Sequence, residues 1–294
     1  MVGIMLLLCS IMPFTACTST EDEPYKPETE QPSDDPNNNE EEDNDTTPVY
    51  GHLTTANTVS DVVNHEAFNE FGRFILPAER SYNVNMTLQN VASMLPYHNY
   101  ITGERAVETI NTMVDYVHDG NTLFYDIYSD ADKQADSRKN NTGLFFFRGE
   151  PGKPFAIVCP GGGFSYVGAI HEGFPLAIAL SKMGYNAFSI QYRTGGAQVA
   201  CEDLAGAIDF IMRHAEELQV STDDYSLWGG SAGARMAAYL GSYGTQGFIS
   251  AVHPRPATVV MGYTGHSDYT RNDPPTYVVI GDNDAIASAS VCLL

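Results

Sequence analysis

One motif constrains this chain more than any other, a Gly-x-Ser-x-Gly sequence that spans residues 229–233. Residues 224–228 before it are typical of a short strand, and residues 232–240 after it are typical of a helix. A sharp strand-to-helix turn strains the backbone of its serine, and small neighbours avoid clashes with the strand and the helix. Such a turn lifts the serine hydroxyl above the sheet, so the context predicts a nucleophilic Ser231 rather than an ordinary glycine-rich turn.

A glycine-rich loop follows an earlier apolar segment. Residues 154–159 form an unbroken apolar run, which is typical of a strand buried on both faces of a parallel sheet. The run ends in Pro160, followed by three glycines at positions 161–163. Glycine N–H groups have no side-chain cover and can point at a developing oxyanion. The alternative is a dinucleotide-binding loop, but the third glycine of Gly-x-Gly-x-x-Gly does not fall at the required spacing.

Strands and helices alternate around these two motifs. The pattern predicts helices over 172–183 and 202–218, and further strands over 185–192, 257–261 and 276–280. Alternation of this kind implies right-handed crossovers and an α/β fold whose mostly parallel sheet is covered by helices on both faces. Residues 122–128 and 143–148 resemble the antiparallel strands that open such a sheet.

With these motifs, the chain from about residue 122 onwards resembles the α/β-hydrolase family, and within it the esterase and lipase branch that includes acetyl-xylan and feruloyl esterases. The resemblance implies that Ser231 attacks an ester carbonyl and that the N–H groups of Gly162, Gly163 and Ala232 hold the oxyanion. Pro160 stands where the family's loop motif has histidine.

The same resemblance implies an acid after the next-to-last strand of the family. Asp284 takes that place in the Gly-x-x-Asp sequence of residues 281–284. Asp282 competes with it as a turn residue, and Asp268, after the preceding strand, is a weaker alternative.

The family pattern then breaks, because its catalytic histidine follows the acid. None of residues 285–294 is histidine, and a crossover with its helix needs about 10–12 residues by itself. We therefore expect a chain that lacks the last helix, the last strand and the histidine of the family, with low or no turnover. His266, in a loop after a strand, is the best substitute base, although an exposed loop histidine is the simpler interpretation. The expected chemistry uses side chains and water, with no cofactor and no metal.

The amino terminus predicts where the protein is located. Residues 1–16 hold an apolar stretch that is too short for a membrane span of about 20 residues and suits a signal peptide. Cys17 ends a sequence that resembles a bacterial lipobox, which implies lipid modification. Residues 17–50 form an acidic tether that we expect to be disordered, and 12 acidic residues between positions 21 and 46, against the single Lys26, supply half of the net charge of −22. Such acidity excludes nucleic acid as a partner and resembles the export signal of Bacteroidetes surface lipoproteins, so we expect an outer-membrane lipoprotein in the cell envelope, facing the periplasm or the surface.

Residues 51–121 are predicted to form a mainly helical extension that precedes the hydrolase domain of residues 122–294. Residues 103–118 carry an amphipathic helical pattern. The aromatic side chains of this extension pack in the core or form a binding surface, and core packing is the favoured interpretation. They are Phe68, Phe71, Phe74, Tyr97 and Tyr100. Two functions remain open for the whole chain: a serine esterase that acts on acetyl or similar esters of glycans or small molecules, and a non-catalytic surface lipoprotein that binds a glycan or protein on the same scaffold.

Overall fold

A seven-stranded mixed sheet forms the centre of the protein, seen in a computed structural model that describes residues 51–77, 79–95 and 101–292. The expected signal peptide, Cys17 and the tether lie outside the described residues. The strands are β1 (Phe124–Tyr125), β2 (Gly143–Phe147), β3 (Pro154–Cys159), β4 (Asn186–Gln191), β5 (Ser221–Gly230), β6 (Thr258–Gly262) and β7 (Thr276–Val279). Their order across the sheet is β1-β2-β4-β3-β5-β6-β7.

The direction of the strands places the two sequence motifs at one edge of the sheet. Strands β3 to β7 run parallel, whereas β2 pairs antiparallel with both β1 and β4, so the sheet opens with antiparallel pairs as the sequence predicts. Cys159 at the end of β3 is in register with Gly229 near the end of β5. The glycine loop and the Ser231 turn therefore leave neighbouring strands side by side, which confirms the α/β fold class.

Helices connect the strands and cover the sheet. They are α1 (Val59–Val63), α2 (Gly103–His118), α3 (Asp130–Ala135), α4 (Phe174–Lys182), α5 (Ala197–Arg213), α6 (Ala215–Leu218), α7 (Ala232–Tyr243) and α8 (Ala289–Cys292). Short 3₁₀ turns cover Asn69–Phe74, Leu88–Met94, Ser137–Asn141 and Thr245–Gly247, and a π-turn covers Ala169–Gly173. In the part of the chain that the structure describes, no helix has both the length and the apolar character to cross a membrane.

The prediction of one helix over 202–218 is wrong in two respects, because the helix starts earlier and is divided into two. Helix α5 begins five residues earlier, at Ala197, directly after Gly195 and Gly196, which have φ values of 106° and 143°. These two glycines turn the chain sharply into the helix. His214 then interrupts it and separates α5 from α6.

The extension packs on the sheet through aromatic rings. Phe71 and Phe74 lie against Phe124 with ring centroids 5.2 and 5.7 Å apart, and Phe124 lies 5.0 Å from Phe145 of β2. Phe68 and Phe74 are buried and Phe71 is half-buried, which supports core packing for these three rings. Tyr97 and Tyr100 lie outside the described residues.

Candidate active site

Ser231 occupies a strained turn between β5 and α7. Its φ of 51° and ψ of −116° lie in a region that side-chain-bearing residues rarely adopt. The Ser231 N–H donates to the Gly262 carbonyl at 2.9 Å, so the turn is tied to the end of β6. A Cβ on Gly233 would lie 1.9 Å from the Cys159 carbonyl oxygen, and one on Gly229 would lie 2.3 Å from the Gly233 backbone. The flanking glycines of the motif are therefore required by close packing, as the sequence predicts.

The glycine loop leaves two N–H groups available beside this turn. Gly162 and Gly163 have φ values of 137° and 61°. Neither N–H donates a hydrogen bond to another residue within the described ranges. An ideal Cβ on Gly161, at the start of the loop, would lie 3.1 Å from the Ser231 Cβ. The loop thus begins in contact with the serine residue, and it carries donors of the kind that stabilise an oxyanion. Ala232, the third expected donor, is the first residue of α7 and is buried.

A buried carboxylate that the sequence interpretation missed lies between the loop and the turn. Glu172 Oε2 accepts a hydrogen bond from the Gly161 N–H at 2.5 Å, and the side chain is 9% exposed. The Tyr263 hydroxyl donates to the same carboxylate. Burial raises the pKa of Glu172, and these two hydrogen bonds act in the opposite direction. The signal in the sequence is the pair His171-Glu172 inside the mainly apolar stretch 166–180, and this pair belongs to no triad motif.

Asp284 lies in a turn that follows β7, at the same edge of the sheet as Ser231. Its Oδ1 accepts hydrogen bonds from the N–H groups of Ile286 and Ala287, both at 2.8 Å. These bonds lower the pKa of Asp284, so the group is a carboxylate at neutral pH. The competing Asp282 is exposed. Asp268 accepts a hydrogen bond from the Tyr243 hydroxyl at 2.8 Å.

The structure places His266 in the interior and not on an exposed loop. His266 is 6% exposed, and its ring lies edge-on to the ring of Tyr239, with the two centroids 4.8 Å apart. Burial lowers the pKa of His266, which keeps the imidazole neutral at pH 7. His171 is also buried, with Nε2 3.8 Å from Glu172 Oε1. Across the described ranges, no group of three or more His, Cys, Asp or Glu side chains is arranged to hold a metal ion.

The chain resembles known proteins in both sequence and structure. Residues 148–256 match the BD-FAE family model. The fold is similar to that of an acetyl ester-xyloside bifunctional hydrolase from Caldicellulosiruptor lactoaceticus, with 18% identity and a TM-score of 0.50 over 58% of this chain and 78% of that chain. It is also similar to MGS-M1, an α/β hydrolase enzyme from a Medee basin deep-sea metagenome library, with 23% identity and a TM-score of 0.45 over 52% of this chain and 68% of that chain. No curated protein matches the chain.

The protein thus has an α/β-hydrolase fold, as the parallel sheet and the Ser231 turn indicate. The segment that matches the BD-FAE family model begins directly after β2 and ends two residues before β6. The glycine loop and Ser231 both lie inside the matched segment, whereas Asp284 lies beyond it.

Proposed function

We propose that the protein is a serine hydrolase of carboxylic esters, acting on acetyl or similar esters of glycans or small molecules. The observation that carries this proposal is the strained Ser231 turn in contact with a loop whose Gly162 and Gly163 N–H groups donate to no other described residue. This pairing suits acyl transfer, because the reaction needs a nucleophile and an oxyanion site on adjacent elements.

The proposed reaction passes through an acyl-enzyme. Ser231 Oγ attacks the ester carbonyl, and the N–H groups of Gly162, Gly163 and Ala232 stabilise the negative charge that develops on its oxygen. The tetrahedral species collapses and releases the alcohol, and water then hydrolyses the acyl-serine by the same route in reverse. No cofactor takes part.

A general base must take the proton of the Ser231 hydroxyl. In the resembling family a histidine does this, oriented by the acid for which Asp284 is our candidate. No histidine follows Asp284 in the printed sequence. His266 is the residue to test as a substitute, since its lowered pKa leaves the imidazole able to accept a proton at pH 7.

The test is ester hydrolysis by residues 18–294, measured with p-nitrophenyl acetate and with acetylated xylo-oligosaccharides. The second probe is chosen because a structural neighbour is described as an acetyl ester-xyloside hydrolase. With His266 acting as the base, we expect Ser231→Ala to lower kcat by a factor of at least about 10³, since the nucleophile and its base act as a unit. Ser181→Ala, a half-buried serine at the end of α4, is the matched control and should behave as the wild type. Turnover that survives in Ser231→Ala would contradict the proposal.

A non-catalytic lipoprotein that binds a glycan or protein is the second candidate. The arrangement of Asp284 favours it, because this carboxylate accepts N–H groups of its own turn, from Ile286 and Ala287. Equal, water-like rates for wild-type and Ser231→Ala protein, both shown to be folded by circular dichroism, would support this candidate over the esterase.

We also propose that Cys17 carries a lipid that anchors the protein in the cell envelope as an outer-membrane lipoprotein. The apolar residues before it and the acidic residues after it support this proposal. Expression of the full chain in a Gram-negative host with radiolabelled palmitate should label the wild type but not Cys17→Ala. Cys9→Ala, in the apolar stretch, is the control and should keep its label. Label retained by Cys17→Ala would contradict the assignment.

A further inference from the structure

The Glu172 carboxylate contacts both halves of the candidate site. It belongs to the π-turn that precedes α4, and its Oε2 accepts the N–H of Gly161 at the start of the glycine loop. Two glycines provide the space for it. A Cβ on Gly161 would lie 2.8 Å from Oε2, and a Cβ on Gly230, the residue before Ser231, would lie 2.9 Å from the same atom. Both distances are shorter than real Cβ contacts, so this carboxylate occupies room that any other residue at 161 or 230 would fill.

Tyr263 extends this contact to the neighbouring strand. Its hydroxyl donates to Glu172 and would lie 2.2 Å from a Cβ on Gly230. Its backbone has a φ of 37°, and its N–H donates to the Val279 carbonyl at 2.7 Å. The residue before it, Gly262, accepts the N–H of Ser231 at 2.9 Å. Glu172 is therefore connected through Tyr263 to the carbonyl that holds the nucleophile's backbone.

Both backbone polar groups of Gly161 make hydrogen bonds that hold this residue in place. Its N–H is held by Glu172, and its carbonyl accepts the Gly168 N–H at 2.9 Å. The peptide that follows is planar and trans, so its carbonyl and the N–H of Gly162 point in opposite directions. Fixing the Gly161 residue consequently fixes the direction in which the Gly162 N–H points.

Burial of a carboxylate costs desolvation free energy, and its hydrogen bonds offset that cost only when all of them are made. We propose that Glu172 is a positioning residue, which orients the Gly162 N–H toward the oxyanion and, through Tyr263, holds the loop against the Ser231 turn. The inference rests on the proposed esterase function, because it assigns Gly162 to the transition state. Glu172 itself touches no reacting atom in this assignment.

The first experiment compares kcat and KM for Glu172→Gln with the wild type, using p-nitrophenyl acetate. A glutamine of the same shape keeps the packing but cannot accept two hydrogen bonds with a full negative charge. We expect kcat to fall about 10- to 100-fold with little change in KM, because an oxyanion donor acts mainly in the transition state. Glu217→Gln is the matched control, an exposed glutamate of α6 whose loss should leave both constants unchanged. An unchanged kcat in Glu172→Gln would overturn the inference.

Tyr263→Phe keeps the proposal testable if Glu172→Gln does not fold. Tyr263 is 40% exposed, so removal of one hydroxyl should be tolerated. We expect a smaller loss of kcat, about 3- to 10-fold, and no further loss when Tyr263→Phe is added to Glu172→Gln, since both act through one contact. Additive losses would mean that the two residues act separately and would overturn the connection through Tyr263.

Hydrogen exchange separates failure of this inference from failure of the esterase proposal. In Glu172→Gln, the peptide that covers residues 160–168 should exchange its amide hydrogens faster, while β3 and the Glu217→Gln protein keep wild-type rates. If the wild type shows no turnover that depends on Ser231, the esterase proposal fails, and faster exchange at 160–168 still supports the positioning of the loop. Unchanged exchange in the 160–168 peptide of Glu172→Gln would overturn the positioning role of Glu172.

Discussion

Backbone strain in this protein concentrates around one serine. Six residues other than glycine have positive φ in the described ranges, and three of them, Phe164, Ser231 and Tyr263, belong to the glycine loop, the nucleophile turn and the end of β6. Residues in such conformations each cost about 1–3 kcal/mol and persist only where the surroundings fix them. Here the surroundings include the bond from the Ser231 N–H to Gly262 and the Glu172 contact with Gly161. The strained residues are therefore held by the same few hydrogen bonds that assemble the candidate site.

Gly162 offers a test of this assembly at the scale of one residue. Its φ is 137°, and a Cβ there would lie 2.0 Å from the Tyr166 carbonyl oxygen, so Gly162→Ala must shift the loop. We expect kcat for p-nitrophenyl acetate to fall about 10²-fold, the effect of losing one oxyanion donor. Urea unfolding should also show a lower free energy of unfolding than for the control below.

Gly120→Ala is the matched control for Gly162→Ala. Gly120 has a φ of 82°, but a Cβ there meets nothing within 4 Å. It should cost about 1 kcal/mol of stability through backbone strain alone and leave kcat unchanged. If the two alanine variants behave alike in both assays, the close approach to Tyr166 has no importance for the loop.

At the scale of secondary structure, the sequence predicts buried elements best. Strand β3 and helix α2 have the bounds that their apolar patterns indicate, because both patterns are uninterrupted and each is followed by residues that end it, Pro160-Gly161 after β3 and Asp119-Gly120 after α2. Strand β1 is shorter than predicted, with only Phe124 and Tyr125 paired to β2. The prediction fails at boundaries that depend on tertiary contacts or on glycine geometry, as at the start of α5.

The residues of the candidate site also differ in whether the sequence predicts them. Ser231 and the glycine loop are detectable because their glycines follow a fixed spacing that local geometry demands. Glu172 and Tyr263 are far apart in sequence and meet only when β3, β5 and β6 are in register. Their roles depend on long-range packing, for which sequence spacing carries no signal.

At the scale of the whole molecule, one buried ion cluster joins segments from different parts of the fold. Arg193, which follows β4, donates to Asp203 of α5 at 2.9 Å and to Asp136, between α3 and the following 3₁₀ turn, at 2.9 Å. The Tyr128 hydroxyl donates to Asp203 at 2.6 Å, and burial raises the pKa of that phenol. Asp203 is fully buried and Arg193 is 5% exposed. The cluster thus fixes the segment around α3 against the end of β4, a few residues from the sheet edge that carries the candidate site.

Asp203→Asn should weaken the whole fold without touching the candidate site. The amide keeps the volume of the side chain but removes the charge that compensates Arg193, and breaking a buried pair in this way costs about 3–5 kcal/mol. Urea unfolding followed by the fluorescence of Trp228, the single tryptophan, measures the loss of free energy. Asp119→Asn, at the exposed end of α2, removes the same charge at the surface and should change stability by no more than about 0.5 kcal/mol. Arg193 also donates to Glu202 Oε2 at 3.3 Å. An Asp203→Asn protein as stable as this control would mean that Asp136 and Glu202 compensate Arg193 by themselves, and that the buried carboxylate is not what joins these segments.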